Sequence, residues 1–156
     1  MGFDCGKEGL NRFLQRQARQ NADRDIGVTH VVVDTPGDAR ILGYYTLVTR
    51  TLESSVIPVK KLPSGPIGVV LLGRLAVDKR SQRKGVGKLM LLRALRQTEE
   101  AARNIGIFGL VLGALEEEAR RWYLNLGWGF EILLDDLNHL ALPVDTIRSL
   151  SLSESV

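Results

Sequence analysis

The chain has one cysteine, two histidines and five prolines among 156 residues. A lone thiol, Cys5, excludes an internal disulfide and fits a reducing compartment. Cys5, His30 and His139 cannot assemble a zinc site at normal ligand spacing, so no metal is expected. No apolar run approaches the ~20 residues of a membrane span. The opening MGFDCGKEGL lacks the apolar core of a secretion signal, so a cytoplasmic protein with no membrane partner is expected. Charge of one sign is scarce as well. The 21 Lys and Arg against 18 Asp and Glu leave +3, which permits a polyanionic partner without requiring one. What remains is 44% apolar and 25% charged, the composition of one globular domain over 1–156.

Periodicity places the elements. Leu10, Phe13, Leu14 and Ala18 fall at i, i+3, i+4 and i+8, which predicts an amphipathic helix over about 7–22. VTHVVVD (28–34) and ARILGYYTLVTR (39–50) read as strands joined by the turn TPGD (35–38), a hairpin. Pro58, Pro63 and Pro66 mark 55–66 as a loop. IGVVLLGRLAVD (67–78) is a long apolar run suited to a strand buried on both faces, with Gly73 marking a bulge or a close backbone approach. A helix follows over about 86–105, with Leu91, Leu95, Thr98, Ala102 and Ile105 as its inward stripe. Then come a buried strand (107–114), a short helix (116–127) and two final strands, WGFEIL and HLALPV. A short helix is expected in the tail 144–156. The expected architecture is α/β (α+β): a mixed central sheet with a βαβ crossover and helices on both faces.

The informative junction is KRSQRKGVGKLMLLRAL (79–95), where two glycines and a basic cluster precede a helix. Glycine admits close approach of a ligand to the backbone. The unpaired amides and dipole of a helix start favour an anion such as phosphate. A nucleotide P-loop fails twice: Gln82 occupies the first glycine position, and Leu89 follows Lys88 where Ser or Thr is needed. A dinucleotide fingerprint lacks its third glycine at Met90. A plain helix start with a solvated basic face is the bland alternative.

What remains, Gln82-Arg83-Lys84-Gly85-Val86-Gly87 after GRLAVD, resembles the Q/R-x-x-G-x-G/A pyrophosphate motif of the GNAT superfamily of acyl-CoA N-acyltransferases. The resemblance implies the GNAT fold, with splayed parallel strands. It also implies acetyl-CoA as donor: Leu75, Ala76 and Val77 would offer backbone groups to pantetheine and thioester, and Gln82 together with Arg83, Lys84, Gly85, Val86, Gly87 and Lys88 would hold the pyrophosphate. ALEEEARRWYLNLGW (114–128) is similar to the superfamily's A-x-x-F-Y-x-x-x-G-F helix, which would aim Tyr123 at the coenzyme sulfur. A tyrosine, protonated to about pH 10, can donate to a thiolate leaving group as general acid. Trp122 and Trp128 read as core, and Cys5, His30 and His139 as structural or incidental.

FDCGKEGLNRFLQRQARQN, LGYYTL, VVLLGRLAVD and EEARRWY resemble, more specifically, the GNAT toxins of bacterial toxin–antitoxin pairs. That implies acetylation of the α-amine of aminoacyl-tRNA, a ribbon-helix-helix antitoxin and a homodimer. No residue stands out as a base. This suits an α-amine, which titrates near ~7.7–8.0 before an ester lowers it. Arg12, Arg16, Arg19, Arg80, Arg93 and Arg96 would form the tRNA-facing basic surface, as solvated helix faces would also explain. The alternatives are a GNAT enzyme acting on a small amine or protein N-terminus, and a non-catalytic acyl-CoA-binding module. Three departures from the family's pattern stand out: its N-terminal strand is expected to be absent, Gly113 replaces a His or Asp facing the site, and the loop at 54–66 is short.

Overall fold

The computed structural model describes residues 2–37, 40–60 and 62–150. In chain order it has α1 (Glu8–Arg16), α2 (Ala18–Asp23), β1 (Val28–Val33), β2 (Ile41–Glu53), β3 (Pro66–Val77), α3 (Val86–Ala102), β4 (Gly109–Gly113), α4 (Glu117–Asn125), β5 (Glu131–Ile132), β6 (His139–Pro143) and α5 (Val144–Ser149). The strands form one mixed sheet in the order β1-β2-β3-β4-β6-β5. This is the α/β architecture expected from the pattern. Part of the hairpin turn, at 38–39, lies outside the described residues, as do 61 in the loop and the tail beyond 150.

Several boundaries differ from the periodicity: the strand expected at WGFEIL narrows to Glu131–Ile132, and β3 already begins at Pro66. The first helix is two, broken at Gln17, whose φ of −115° departs from the usual helical value; Ala18 beyond it is buried. The second strand runs on to Glu53. Ile105 is 56% exposed rather than inward, because α3 ends at Ala102 and the helical phase stops there.

The chain divides into two compact units. The first holds 1–48 and 72–94. Its β1 and β2 pair antiparallel from Val28↔Leu47 to Val33↔Ile41, with an irregularity at Val32/Val33. Its core joins Phe3, Phe13, Leu14, Ala18, Tyr44 and Ala76. Tyr44 stacks on Phe13 at 6.1 Å and meets Phe3 edge-on at 5.6 Å. Its hydroxyl donates to the Leu10 carbonyl at 2.7 Å, and burial pushes the phenol up to about 12. A Cβ on neighbouring Gly43 would lie 2.9 Å from the Ala76 carbonyl and from Met90 Cε, so only glycine fits there. The GYY motif is therefore a packing device.

The second unit holds 49–71 and 95–156. Here β4 and β6 pair antiparallel from Gly109↔Pro143 to Gly113↔His139, and β5 adds to β6. Leu52, Val69, Val111, Leu133 and Ala141 form its core cluster, with Val56, Leu71 and Phe108 packed against it.

Candidate functional site

In the first unit, β3 runs out at Val77 and Asp78 redirects the chain. Its carboxylate, 1% exposed, accepts from the Arg80 amide (2.9 Å), Arg80 Nε (3.1 Å) and the Asp4 amide (3.1 Å). These donors, led by the Arg80 guanidinium, hold its pKa down at about 2. The Asp78 amide donates to Leu42, and the Lys79 amide to Asp4. Asp4 in turn accepts from the Gly6 amide and Asn11 Nδ2, while Asn11 Oδ1 accepts from the Cys5 amide. The FDCG segment thus secures the turn Lys79–Ser81 to the strand end. Sequence reading did not single out Asp78, Asp4 or Asn11 as a unit. The only signal was polar residues beside an apolar run, and the partners lie 74 positions apart.

The turn 82–85 follows and leads into α3. Gln82 Nε2 donates to the carbonyls of Val77 (3.0 Å) and Cys5 (3.2 Å), so its side chain braces the loop. Arg83 (φ +63°) and Gly85 (φ +87°) are left-handed. Such alternation makes successive amides line a concavity suited to an anion. The Leu89 amide, donating to Gly85 at 3.0 Å, makes the helix's first i→i−4 bond, so the Val86 and Gly87 amides precede the ladder. A Cβ on Gly87 would sit 3.7 Å from Val77 Cγ2 and 4.0 Å from Leu75 Cδ2. Leu75, Val77 and the glycine turn therefore lie side by side, whereas the Ala76 side chain belongs to the core. Arg83, Lys84 and Lys88 are exposed around the turn. Gly73 marks a close approach: a Cβ there would lie 3.2 Å from Thr46 Oγ1, a buried hydroxyl without a hydrogen-bond partner.

The basic residues separate into kinds. Arg12, Arg16 and Arg19 are exposed on α1 and α2, with Arg12 3.9 Å from Glu8. Arg80 is held on Asp78. Arg93 is exposed and Arg96 half-buried on α3. Cys5 lies in the α1 entry, and His30 stacks on Tyr45 at 5.0 Å.

In the second unit, α4 opens on Glu117 and Glu118, which suit the positive end of its dipole, and stops before Gly127 (φ +72°). Tyr123 is 8% exposed, edge-on to Phe130 at 5.7 Å and to Trp122 at 5.0 Å. Burial alone pushes its phenol up to about 12, so it stays protonated throughout the neutral range. Trp122 is not core. Successive helical residues point about 100° apart, so burying Tyr123 turns its neighbour toward solvent. Beside Gly113, where a Cβ would be, lies the imidazole of His139 at 3.5 Å.

Residues 22–129 match the family model for the acetyltransferase (GNAT) domain. The chain is 33% identical over 150 residues to a tRNA-acetylating toxin of Mycobacterium tuberculosis, covering 95% of this chain and 87% of that protein. It superposes on AtaT complexed with acetyl-methionyl-tRNAfMet at a TM-score of 0.86 and 34% identity, covering 94% and 88% of the two chains. It also superposes on a tyrosine-to-phenylalanine variant of AtaT bound to acetyl-CoA and the C-terminus of the antitoxin AtaR. There the TM-score is 0.81 and the identity 31%, covering 96% and 88%. With the strand, glycine turn and tyrosine helix in their expected order, the chain belongs to the GNAT acetyltransferase family.

Proposed function

We propose that the protein is a cytoplasmic toxin that transfers acetyl from acetyl-CoA to the α-amine of aminoacyl-tRNA and so blocks translation. The observation that supports this reading most is end-to-end likeness to toxins whose named substrate is tRNA, together with an intact glycine turn and a buried, protonated Tyr123.

In this reading the backbone amides of 83–88 hold the pyrophosphate, with Arg83, Lys84 and Lys88 supplying charge. The backbone at Leu75–Val77 holds the pantetheine arm. The amine attacks the thioester carbonyl, the C–S bond breaks, and Tyr123 donates toward the departing sulfur. A phenol at about 12 facing a thiolate of about 8.5 would give up its proton uphill by about 5 kcal/mol. Its contribution is therefore a hydrogen bond that strengthens as charge develops on sulfur, with the proton finally drawn from the acylated amine or solvent. Exposed Arg12, Arg16, Arg19 and Arg93 serve the tRNA backbone as long-range charge. A ribbon-helix-helix antitoxin and a second copy of the chain are the proposed protein partners, and 1–156 acts as one GNAT domain.

The test is incubation with labelled acetyl-CoA and pools of charged tRNA. Label on the aminoacyl group, lost when the ester is hydrolysed before incubation, is expected. Label on polyamines or protein N-termini alone would favour an ordinary GNAT amine acetyltransferase.

A further inference from the structure

Within the first unit, one arginine stands apart. Arg74 lies on β3, directly before the Leu75–Val77 backbone that holds the pantetheine arm in the reading above. Strand alternation sets it on the face of Ala76, which packs with Phe13 and Tyr44. Leu75 and Val77 point the other way, toward Gly87. The guanidinium carbon of Arg74 sits 3.7 Å from the centroid of the Phe13 ring, a stacking distance. Phe13 is a fixed platform: it is buried and stacks in turn on Tyr44 at 6.1 Å. Burial pushes the Tyr44 phenol up, and the nearby Arg74 charge opposes it.

Stacking occupies the face of a guanidinium and leaves the N–H donors around its edge. Elsewhere those donors are taken. Arg120, also half-buried, donates to the Leu137 carbonyl and to Asn138 Oδ1, both at 3.1 Å. Arg80 and Arg103 pair with carboxylates. Half-buried Arg74 meets neither a carboxylate nor a hydrogen-bond acceptor among the described residues. Drawing a cation partly out of water without a partner costs free energy. Gly73, next to it, is exposed and adds no side chain. Where its Cβ would be, the buried Thr46 hydroxyl lies 3.2 Å away without a hydrogen-bond partner. This stretch of β3 thus joins open backbone to an unmet hydroxyl and an unmet cation.

The direction of β3 says what meets it. The glycine turn follows Val77, so a carrier held there runs its arm back along the strand from Val77 to Leu75. Arg74 and Gly73 come next, on the acceptor's side of the thioester. A guanidinium takes a carboxylate or a phosphate through two parallel N–H bonds. An amino acid esterified to tRNA has no carboxylate left. Its nearest anion is the phosphodiester on the 5′ side of the ribose that bears the ester. We propose that Arg74, on its Phe13 platform, binds this 3′-terminal phosphodiester and so selects charged tRNA ends over free amines. The proposal rests on the acetyl-transfer reading above. Unlike the exposed arginines of α1 and α2, Arg74 acts at a single phosphate.

Kinetics of the full chain at saturating acetyl-CoA test it. The substrates are 3′-esters of adenosine and of cytidylyl-(3′→5′)-adenosine, bearing the aminoacyl group that takes label on charged tRNA. Only the second contains the phosphodiester. Wild type should prefer it in kcat/KM by about 10-fold or more. Arg74→Met should treat the two esters alike, with acetyl-CoA affinity unchanged by calorimetry. Arg74→Lys should keep part of the preference, since an ammonium offers a point charge without the fork. Equal kcat/KM of wild type for the two esters would overturn the proposal without recourse to a variant, and would leave acetyl transfer standing. An equal fall on both esters in Arg74→Met would also overturn it, as the mark of a packing role. So would a loss of acetyl-CoA affinity, which would give the cation to the coenzyme's phosphates. A free amino acid preferred over both esters would give it to a carboxylate instead. Wild type inert toward every charged tRNA would overturn the acetyl-transfer reading and this subsite together.

Discussion

Replacing Asp78 with asparagine removes the charge that secures the turn Lys79–Ser81 ahead of the glycine turn. In the native fold three donors converge on this buried carboxylate and hold its pKa at about 2, against an ordinary 3.8. The gap of nearly two pH units corresponds to about 2.5 kcal/mol. Arg80 is 59% exposed, so solvent screens part of its attraction, and a loss of ~1–2 kcal/mol is the sound expectation. For a chain of this size that is a fall of ~3–8 °C in melting temperature. The sign of the pH dependence is fixed. The folded pKa lies below the unfolded one, so the stabilisation is complete above about pH 4 and is lost as pH falls toward 2. Urea titrations of both proteins from pH 7 down to pH 2.5 measure it. Wild type should lose its advantage through that window while Asp78→Asn stays flatter. A variant as stable as wild type at pH 7, with the same acid limb, would refute the reasoning.

Tyr123→Phe should bind acetyl-CoA normally by calorimetry and lose most turnover, about 100-fold or more; unchanged turnover would remove the phenol from its role. Gly43→Ala should cost ~1–3 kcal/mol in chemical denaturation, since its methyl meets the Ala76 carbonyl and Met90 at 2.9 Å. Charge reversal at Arg12, Arg16 and Arg19 together should weaken tRNA binding and flatten its salt dependence, with acetyl-CoA affinity untouched. A salt slope equal to wild type would make these arginines a solvated face.

Local chemistry was legible wherever neighbours in sequence decide it. The β-branched run at 28–34, the apolar run at 67–78 and the glycine turn at 85–87 all became the elements their residues favour. Helix ends were harder. Ile105 continues the spacing of the stripe that precedes it, yet α3 ends at Ala102. Least legible were features made by register and long-range docking. Asp4 meets Asp78 across 74 positions, and His139 fills the face of Gly113 only because β4 and β6 align there. Read alone, Gly113 was a missing side chain and His139 incidental. The glycine pair was legible as a tight turn ahead of a helix, yet its left-handed Arg83 was not, since arginine carries no preference for that conformation.

The central claim is that the backbone of 83–88 grips the diphosphate of the acetyl carrier. Calorimetric titration of the wild type and of Gly85→Val with acetyl-CoA tests it most directly, because φ at Gly85 is +87° and a branched side chain cannot keep it. The account predicts saturable heat with wild type and loss of at least 10-fold in affinity with the variant, its fold intact by circular dichroism. Equal affinity in the two proteins, or no heat from wild type, would contradict it.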